Sequence, residues 1–379
     1  MGTNYKDEKL DNLKICHVTS AHDQFDDRIY LKECRSLVQA GYEVYLLSRD
    51  VALVKEGITF VQCGTPKSSR IIRILRSSSR FFKAAITLDC DVYHFHDPEL
   101  LPCALKLKKR GKIVIFDSHE DVPSQILDKY WIPYPFRKLV SSIYKRYESH
   151  VVKRLDGIVA ATPTIAKKFE NRASRVVIIN NFPILGDINY RPKDFSERDA
   201  KVCYVGGLSE DRGLSIMTSA IQNVQMKLIL AGEYKNSKYL ISKPNVEYVG
   251  WVDRKELDEL YSRAIGGLLV LQPTKNYYTS QPIKMYEYMA AGLPIIASNF
   301  QYWKEIIEDN GCGICIDPDS VEELQQAIVY IDKNRSEAQK MGKRGFELVA
   351  KRFNWGVEEK KLIEFYEELF SPSAGARMR

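Results

Sequence analysis

The sequence predicts an α/β protein of two doubly wound domains. Three observations carry this. The chain has 379 residues, more than one ordinary core organises, so two domains are expected. From Leu13 onward, short apolar runs alternate with amphipathic helical stretches, the βαβ pattern. After a polar, irregular stretch, Pro183 to Arg198, the same alternation restarts at Lys201. The expected division is 1–185 and 186–354, with a last amphipathic helix over 355–371.

Composition narrows the class. Hydrophobic residues make up 45% and charged residues 28% of the chain, as in soluble globular proteins. The net charge of +7 suits anionic ligands or an anionic membrane surface. Without a denser basic stripe it does not indicate nucleic acid. No apolar run reaches the ~20 residues of a membrane-spanning helix. The polar start, Met1 to Lys14, reads as a frayed leader and not a signal peptide. The tail from Ser371 reads as unstructured. Eight cysteines are scattered through apolar patterns, where thiols pack as small hydrophobes. Cys312 and Cys315 have redox or zinc spacing, but no second pair faces them, so strand packing is the expectation. A reducing, cytoplasmic compartment follows.

The first domain opens with the strand Leu13 to Val18, a polar loop Thr19 to Asp27 and a helix from Arg28 to Ala40. Gly41 stops that helix and Tyr42 to Ser48 is the next strand. The loop falls at the carboxyl end of the sheet, where open α/β sheets bind ligands. His22 lies in it. Arg28 and Lys32, one turn apart, are placed to hold an acceptor phosphate, or else form a solvated helix start. Lys67 to Lys83 carries six basic residues and no acid. At ~100° per residue, Arg73, Arg76, Arg80 and Lys83 fall within an arc of roughly 80°, opposite an apolar arc. This is either a packed helix with a solvated basic face or an attachment to anionic lipid.

Two strands, Asp91 to His96 and Lys112 to Phe116, end in Asp97-Pro98-Glu99 and Asp117-Ser118-His119-Glu120-Asp121. Both ends should open onto one ligand edge. Three readings stand here: a group-transfer site with His119, Asp97 and Glu120; a metal site from His94, His96, Asp97, His119 and Glu120; and satisfied core histidines at His17 and His94. Asp89-Cys90-Asp91 begins a buried strand, so its Asp-x-Asp spelling is a chance match. A Pro-marked turn and a long basic helix span Tyr130 to Lys153, with strands at Arg154 to Ala161 and Val176 to Asn180.

In the second domain the strand Lys201 to Val205 runs into Gly206-Gly207-Leu-Ser-Glu-Asp-Arg212-Gly213. Two glycines after a strand permit close backbone approach to phosphate, and Arg212 supplies charge. Strands follow at Lys227 to Gly232 and Glu247 to Val252, the latter with a Gly250-Trp251-Val252 turn. Asp253 caps the next helix, with a capping-box partner at Glu256. Thr279-Ser280-Gln281-Pro282 is a polar loop feeding the helix Ile283 to Ala291. Its first turns carry Lys284 and Glu287 on one side, and its open N-terminus suits a phosphate or sugar hydroxyl.

This last stretch, TSQPIKMYEYMAAGLPIIAS, closely resembles the donor-site motif of the retaining glycosyltransferases of family 4, which have the GT-B fold. The family pattern is Glu-x7-Glu followed by Ala-Met-Ala-x-Gly-x-Pro-Val-Ile-Ala. Glu287 stands at the second Glu. Thr279 stands at the first, as in a branch with the variant Ser-x-Pro-x-Lys-x-x-Glu-Tyr-Met-Ala. The Asp-Asp-Arg-Ile, His-x-His-Asp and Asp-x-His-Glu segments resemble the same branch.

The resemblance implies two Rossmann-like domains facing across a cleft, the final helix crossing back to the first. It implies that Glu287 binds the ribose hydroxyls, that the Gly250–Val252 backbone meets the base and that His119 is the active-site histidine. Where the family has two cations for the diphosphate, Gly207 replaces one and Arg212 keeps the other, with Lys284 as the substitute. Thr279 in place of Glu alters the sugar contact. The implied reaction is retaining transfer of a hexosyl or N-acetylhexosaminyl group from a nucleotide-sugar, UDP-sugar favoured, to a hydroxyl of a glycan or lipid-linked saccharide, in bacterial surface-polysaccharide assembly. It needs no cofactor and no metal. Front-face transfer and double displacement through Asp97 or Glu120 both stand. The site is cytoplasmic, peripheral at the inner face of the plasma membrane. Two other readings share the fold: a nucleotide-sugar epimerase and a non-catalytic sugar-nucleotide binding protein.

Overall fold

The computed structural model describes residues 13–64, 70–129, 132–187, 194–222, 224–234, 243–274 and 277–370, with the side chains of 70–77, 128 and 187 left aside. The expected leader up to residue 12, the tail and the middle of the linker lie outside the described residues, while Lys14, read as the leader's end, already begins the first strand. By contacts the chain forms two compact units, Met1–Asn181 with Gly356–Arg379, and Phe182–Trp355.

The first unit holds eight strands: β1 Lys14–Val18, β2 Glu43–Ser48, β3 Leu53–Lys55, β4 Ile58–Gln62, β5 Val92–Phe95, β6 Ile113–Ser118, β7 Gly157–Ala160 and β8 Val176–Ile178. Their order is β3-β4-β2-β1-β5-β6-β7-β8. All pair in parallel except β3 with β4. The direction of winding reverses between β1 and β5, so the loops after these strands part there and open a crevice. Central strands buried on both faces are continuous apolar runs, and Val92, Tyr93, Phe95, Val114 and Phe116 form the core.

The second unit holds β9 Lys201–Val205, β10 Lys227–Ala231, β11 Val246–Gly250, β12 Gly266–Leu269, β13 Ile295–Ser298 and β14 Gly313–Ile316. Their order is β11-β10-β9-β12-β13-β14, all parallel. Its reversal lies between β9 and β12. Asp253 and Glu256 form the expected capping box at the head of Arg254–Arg263.

Several elements differ from the sequence reading. The helix after the first loop opens as a wider turn, Ile29–Cys34, in which Glu33 N–H reaches the Arg28 carbonyl at 3.0 Å, and becomes regular only from Arg35 to Gln39. The extra residue in that turn brings Arg28, Lys32 and Glu33 all inward. The strand expected from Arg154 is shorter, because Arg154 and Leu155 still close the preceding helix through bonds to the Val151 and Val152 carbonyls. A short helix, Val122–Asp128, precedes the long one, Tyr134–Val152, with Asp121 as its cap. Asp91 receives the Lys14 N–H at 2.9 Å and Asp89 sits in a left-handed turn (φ 47°), so the Asp-x-Asp pair serves the strand start.

The described cysteines are all free thiols, buried except for half-buried Cys315. No helix among the described residues is long and apolar enough to cross a membrane.

Candidate active site

In the first unit the loop after β1 wraps the end of β5. Asp97 Oδ2 accepts the Ser20 N–H at 2.5 Å, the Ala21 N–H at 3.1 Å and the Thr19 hydroxyl at 2.8 Å. Asp97 Oδ1 lies 3.1 Å from His22 Nδ1. Burial alone would raise the Asp97 carboxyl, but the His22, Ser20 and Thr19 bonds outweigh it and hold it well below the usual range. The hydrogen bond to Asp97 in turn raises His22. A carboxylate so fully engaged is a poor nucleophile and a poor base.

Next to it, Asp117 ends β6 and gathers three side chains. Arg28 donates Nε–H to Oδ2 at 2.9 Å and Nη2–H to Oδ1 at 3.1 Å, and its Nη1 reaches the Ile179 carbonyl at 2.8 Å. His119 Nε2 lies 2.9 Å from Oδ2, and His96 Nδ1 lies 3.4 Å from it. His96 Nε2 meets His17 Nδ1 at 2.9 Å, and His94 Nδ1 meets the Tyr366 hydroxyl of the last helix at 2.8 Å.

Burial raises the Asp117 carboxyl, but the Arg28 and His119 charges outweigh that and lower it. Burial and Asp117 together push Glu33 up, against Arg28. The two carboxyls are thus shifted in opposite directions, Asp117 toward its charged form and Glu33 toward its protonated one. Burial lowers His17, His94 and His96, leaving neutral rings. His119, one ring further out, is partly exposed.

Several sequence expectations are corrected here. Arg28 is buried and bound at three points, so it does not present a free guanidinium to an acceptor phosphate. Lys32 is also buried, with Nζ 2.5 Å from Asn181 Oδ1. His17 and His94 are core residues, yet the Nε2 of each lacks a hydrogen-bond partner, so neither is satisfied.

The metal set His94, His96, Asp97, His119 and Glu120 does not assemble. Asp97 faces the Thr19–His22 loop that follows β1, and Glu120 is exposed against Gln125. Among the described residues, the groups whose donor atoms lie within 4.8 Å of one another are His17, Glu33, His94 and His96, and separately His96, Asp117 and His119. In the first, Arg28 Nε already sits 3.0 Å from Glu33 Oε1, so a fixed cation is in place. Asp117, Glu33 and Tyr366 went unseen as site residues in the sequence. Only Asp117 had a signal, its place at a strand end.

In the second unit the loops after β9, β10 and β11 touch. Gly206 N–H donates to the Ala231 carbonyl at 2.9 Å and Gly232 N–H to the Gly250 carbonyl at 2.6 Å. Gly232 (φ +130°) must be glycine, because a Cβ there would lie 2.0 Å from the Gly206 carbonyl oxygen. Arg212 lies over Gly207, its Nη1 3.5 Å from the Gly207 carbonyl, with the Tyr204 and Tyr277 hydroxyls beside it.

The helix Ile283–Ala290 begins after Pro282 with no side-chain cap; the Met285 N–H turns back to the Pro282 carbonyl at 3.0 Å, and the N–H groups of Ile283 and Lys284 come before it at the helix start, where a ligand can be held. Lys284 Nζ is 2.7 Å from Glu287 Oε2, which also faces the Tyr261 hydroxyl at 3.4 Å. Ser280 is fixed by Trp303 Nε1–H to its carbonyl at 2.9 Å, Gln281 by the Tyr302 hydroxyl, and Thr279 is exposed. Trp251 is exposed and Val252 half-buried beside Gly250. Tyr204, Tyr261 and Tyr277 complete this edge and carried no sequence signal.

Two Rossmann-like domains with ligand edges of this kind define a GT-B-type glycosyltransferase fold, and comparison with known proteins agrees. Residues 27–182 match the family described as Glycosyltransferase Family 4, and residues 187–348 match Glycosyl transferases group 1. Together these class the chain's two domains as those of a GT-B glycosyltransferase.

An uncharacterised glycosyltransferase of Methanocaldococcus jannaschii is 25% identical over 238 residues, 61% of this chain and 65% of the relative. The match thus spans somewhat less than two thirds of that relative's length. Sucrose-phosphate synthase of Thermosynechococcus elongatus shares the fold at TM-score 0.75 and 17% identity, covering 94% of this chain and 99% of that one. HepE of Anabaena in complex with UDP does so at TM-score 0.73 and 14% identity, covering 94% and 100%.

Proposed function

We propose that the chain is a retaining glycosyltransferase that moves a hexosyl or N-acetylhexosaminyl group from a UDP-sugar to a hydroxyl of a glycan or lipid-linked saccharide, in surface-polysaccharide assembly. The observation that carries the reading is the second unit's edge. An uncapped helix start, the Lys284–Glu287 pair and Arg212 over two glycines supply ribose and diphosphate partners. The UDP held by the Anabaena relative supports uridine as the base.

In this reading Glu287 accepts the ribose hydroxyls and the Gly250–Val252 turn meets the base. Arg212, the Lys284 ammonium and the helix dipole offset the charge that grows on the departing diphosphate, without a metal. Lys284 gives one N–H to Glu287 and keeps two for phosphate oxygens. His119, oriented by Asp117, meets the sugar and acceptor. The engaged state of Asp97 favours front-face transfer over a covalent intermediate on that residue, because its lone pairs already accept several hydrogen bonds. In the same reading the acceptor is met at an anionic membrane surface on the cytoplasmic face.

The test is a thermal-shift screen of nucleotide-sugars, since a ligand of the native state raises the melting temperature. Product analysis with and without saccharide acceptors follows. UDP-sugars that stabilise and turn over only with acceptor support the reading. Isomerised nucleotide-sugar without acceptor makes it an epimerase, and binding without turnover makes it a sensor.

A further inference from the structure

We propose that His17, Glu33, His94 and His96 form a closed, structural zinc(II) site in the core of the first unit. The diphosphate partners named above all belong to the second unit, so this site stands or falls separately from the proposed reaction.

Topology gathers the three rings. β1 and β5 are neighbours, and their register sets His17 against His94. A strand alternates its faces, so His96 follows His94 on the same side. The ring centroids lie 4.8 Å apart for His17 and His94, 4.8 Å for His94 and His96, and 5.1 Å for His17 and His96. The wide turn Ile29–Cys34 brings Glu33 against them. All four residues are buried.

The distances separate coordination from hydrogen bonding. Glu33 Oε2 is 3.7 Å from His17 Nδ1, 3.9 Å from His96 Nε2 and 4.0 Å from His94 Nδ1. These are too long for hydrogen bonds, and Oε2 has no hydrogen-bond partner among the described residues. A buried carboxylate oxygen facing three ring nitrogens and bonded to none of them lacks the partner that burial demands. Tetrahedral zinc, with bonds of about 2.0–2.1 Å, sets its donors roughly 3.3–3.4 Å apart. The three separations above exceed that value and the 2.9 Å between His17 Nδ1 and His96 Nε2 falls short of it. An ion at the centre draws the carboxylate in and spreads those two rings. His94 Nδ1 exchanges its 2.8 Å bond to the Tyr366 hydroxyl for the ion.

Charge agrees. Arg28 meets Glu33 only at Oε1, 3.0 Å away, and grips both oxygens of Asp117. One guanidinium between two carboxylates leaves a negative charge that a divalent ion offsets. Asp117 Oδ2 lies 3.4 Å from His96 Nδ1, the ring nitrogen turned away from the ion. A carboxylate in that place orients metal-bound histidines. Three imidazoles and one carboxylate with no open position suit structural zinc, whereas magnesium and calcium take oxygen ligands. The group His96, Asp117 and His119 is the weaker candidate, because Asp117 Oδ2 already accepts from Arg28 and faces His119 at 2.9 Å.

The experiment is plasma mass spectrometry of the untagged full chain purified without chelator. The expected result is about one zinc per chain, held in the native protein against EDTA and released to a chromogenic chelator only on unfolding. Glu33→Gln, of the same shape, should lose the zinc, and His119→Ala should keep it. Protein grown with cobalt should show the intense visible bands of tetrahedral cobalt(II). The proposal is overturned if the wild type carries no more zinc than Glu33→Gln, which would leave a proton to neutralise Glu33. It is overturned too if EDTA strips the native chain, or if His119→Ala loses the metal, which would assign the ion to the other group. Should Glu33→Gln fail to fold, the wild type decides: absence of zinc, or the weak bands of octahedral cobalt, sinks the site.

Discussion

His119 Nε2 lies 2.9 Å from Asp117 Oδ2, on the same carboxylate that Arg28 grips with two N–H groups. A buried ion pair thus holds the orientation of a ring that is itself partly exposed. In the proposed reaction this makes His119 a group presented to the sugar and acceptor. His119→Ala should lower transfer about a hundredfold or more, the scale of positioned proton transfer. Calorimetric UDP affinity should stay at the wild-type value. A loss of UDP affinity with transfer intact would place the histidine elsewhere in function.

Arg28 is the cation of that cluster, and its removal tests whether it is structural. Arg28→Ala leaves Asp117 and Glu33 buried without their partner, which costs about 3–5 kcal/mol for a broken buried pair. Urea unfolding should show this as a lower midpoint with an unchanged slope. Wild-type stability combined with weakened acceptor binding would return Arg28 to the phosphate-holding role that its sequence position suggests.

Glu287→Ala should weaken UDP binding ten- to hundredfold, from the 1.5–3 kcal/mol of charged hydrogen bonds. Arg212→Ala should instead appear mainly in kcat/KM, because its charge is matched to the leaving diphosphate. Titration calorimetry and initial rates separate the two. Equal rates in wild type and Arg212→Ala, at equal melting temperature, would remove that residue from the site. Activity that survives exhaustive chelation would agree with a metal-free route, whereas activity restored only by magnesium or manganese would refute it.

The His22–Asp97 pair predicts a pH dependence whose sign follows from the two shifts. His22 is raised from 6.5, so its contribution is full below that value and is lost as pH rises through the higher folded value. Asp97 is lowered from 3.8, so its contribution is present above that value and is lost as pH falls through the lower folded one. The pair stabilises most between these limits. Unfolding midpoints of wild type should fall relative to His22→Gln as pH rises above 6.5. Parallel profiles would show that the pair adds nothing.

Much of this protein was legible in its residues. The order of the central strands follows from apolar periodicity, which local sterics and burial enforce within a few residues, whereas the edge strands β3 and β4 and the helices between Gln301 and Arg352 were not foreseen. The Asp253–Glu256 cap and the Lys284–Glu287 pair follow from spacing within a single helical turn. That strand ends hold the candidate site residues follows from the parallel pattern, since loops at a sheet's reversal cannot close over it.

Sheet order and packing decided the rest. His94 and Tyr366 are 272 residues apart and meet only because the last helix packs into the first unit. Arg28 reads as an exposed helix start, yet a wider turn rotates it inward onto Asp117, which the sheet brings alongside. Glu33 carries no local signal, and its burial among charges appears only when β1, β5 and β6 stand together. Tyr130 to Lys153 reads as a turn and a long basic helix, and only the packed structure shows that Phe136, Leu139 and Ile143 are exposed. Periodicity within one element is fixed by the backbone of that element. The partner of each face is fixed by residues far along the chain, which is where sequence reasoning ends.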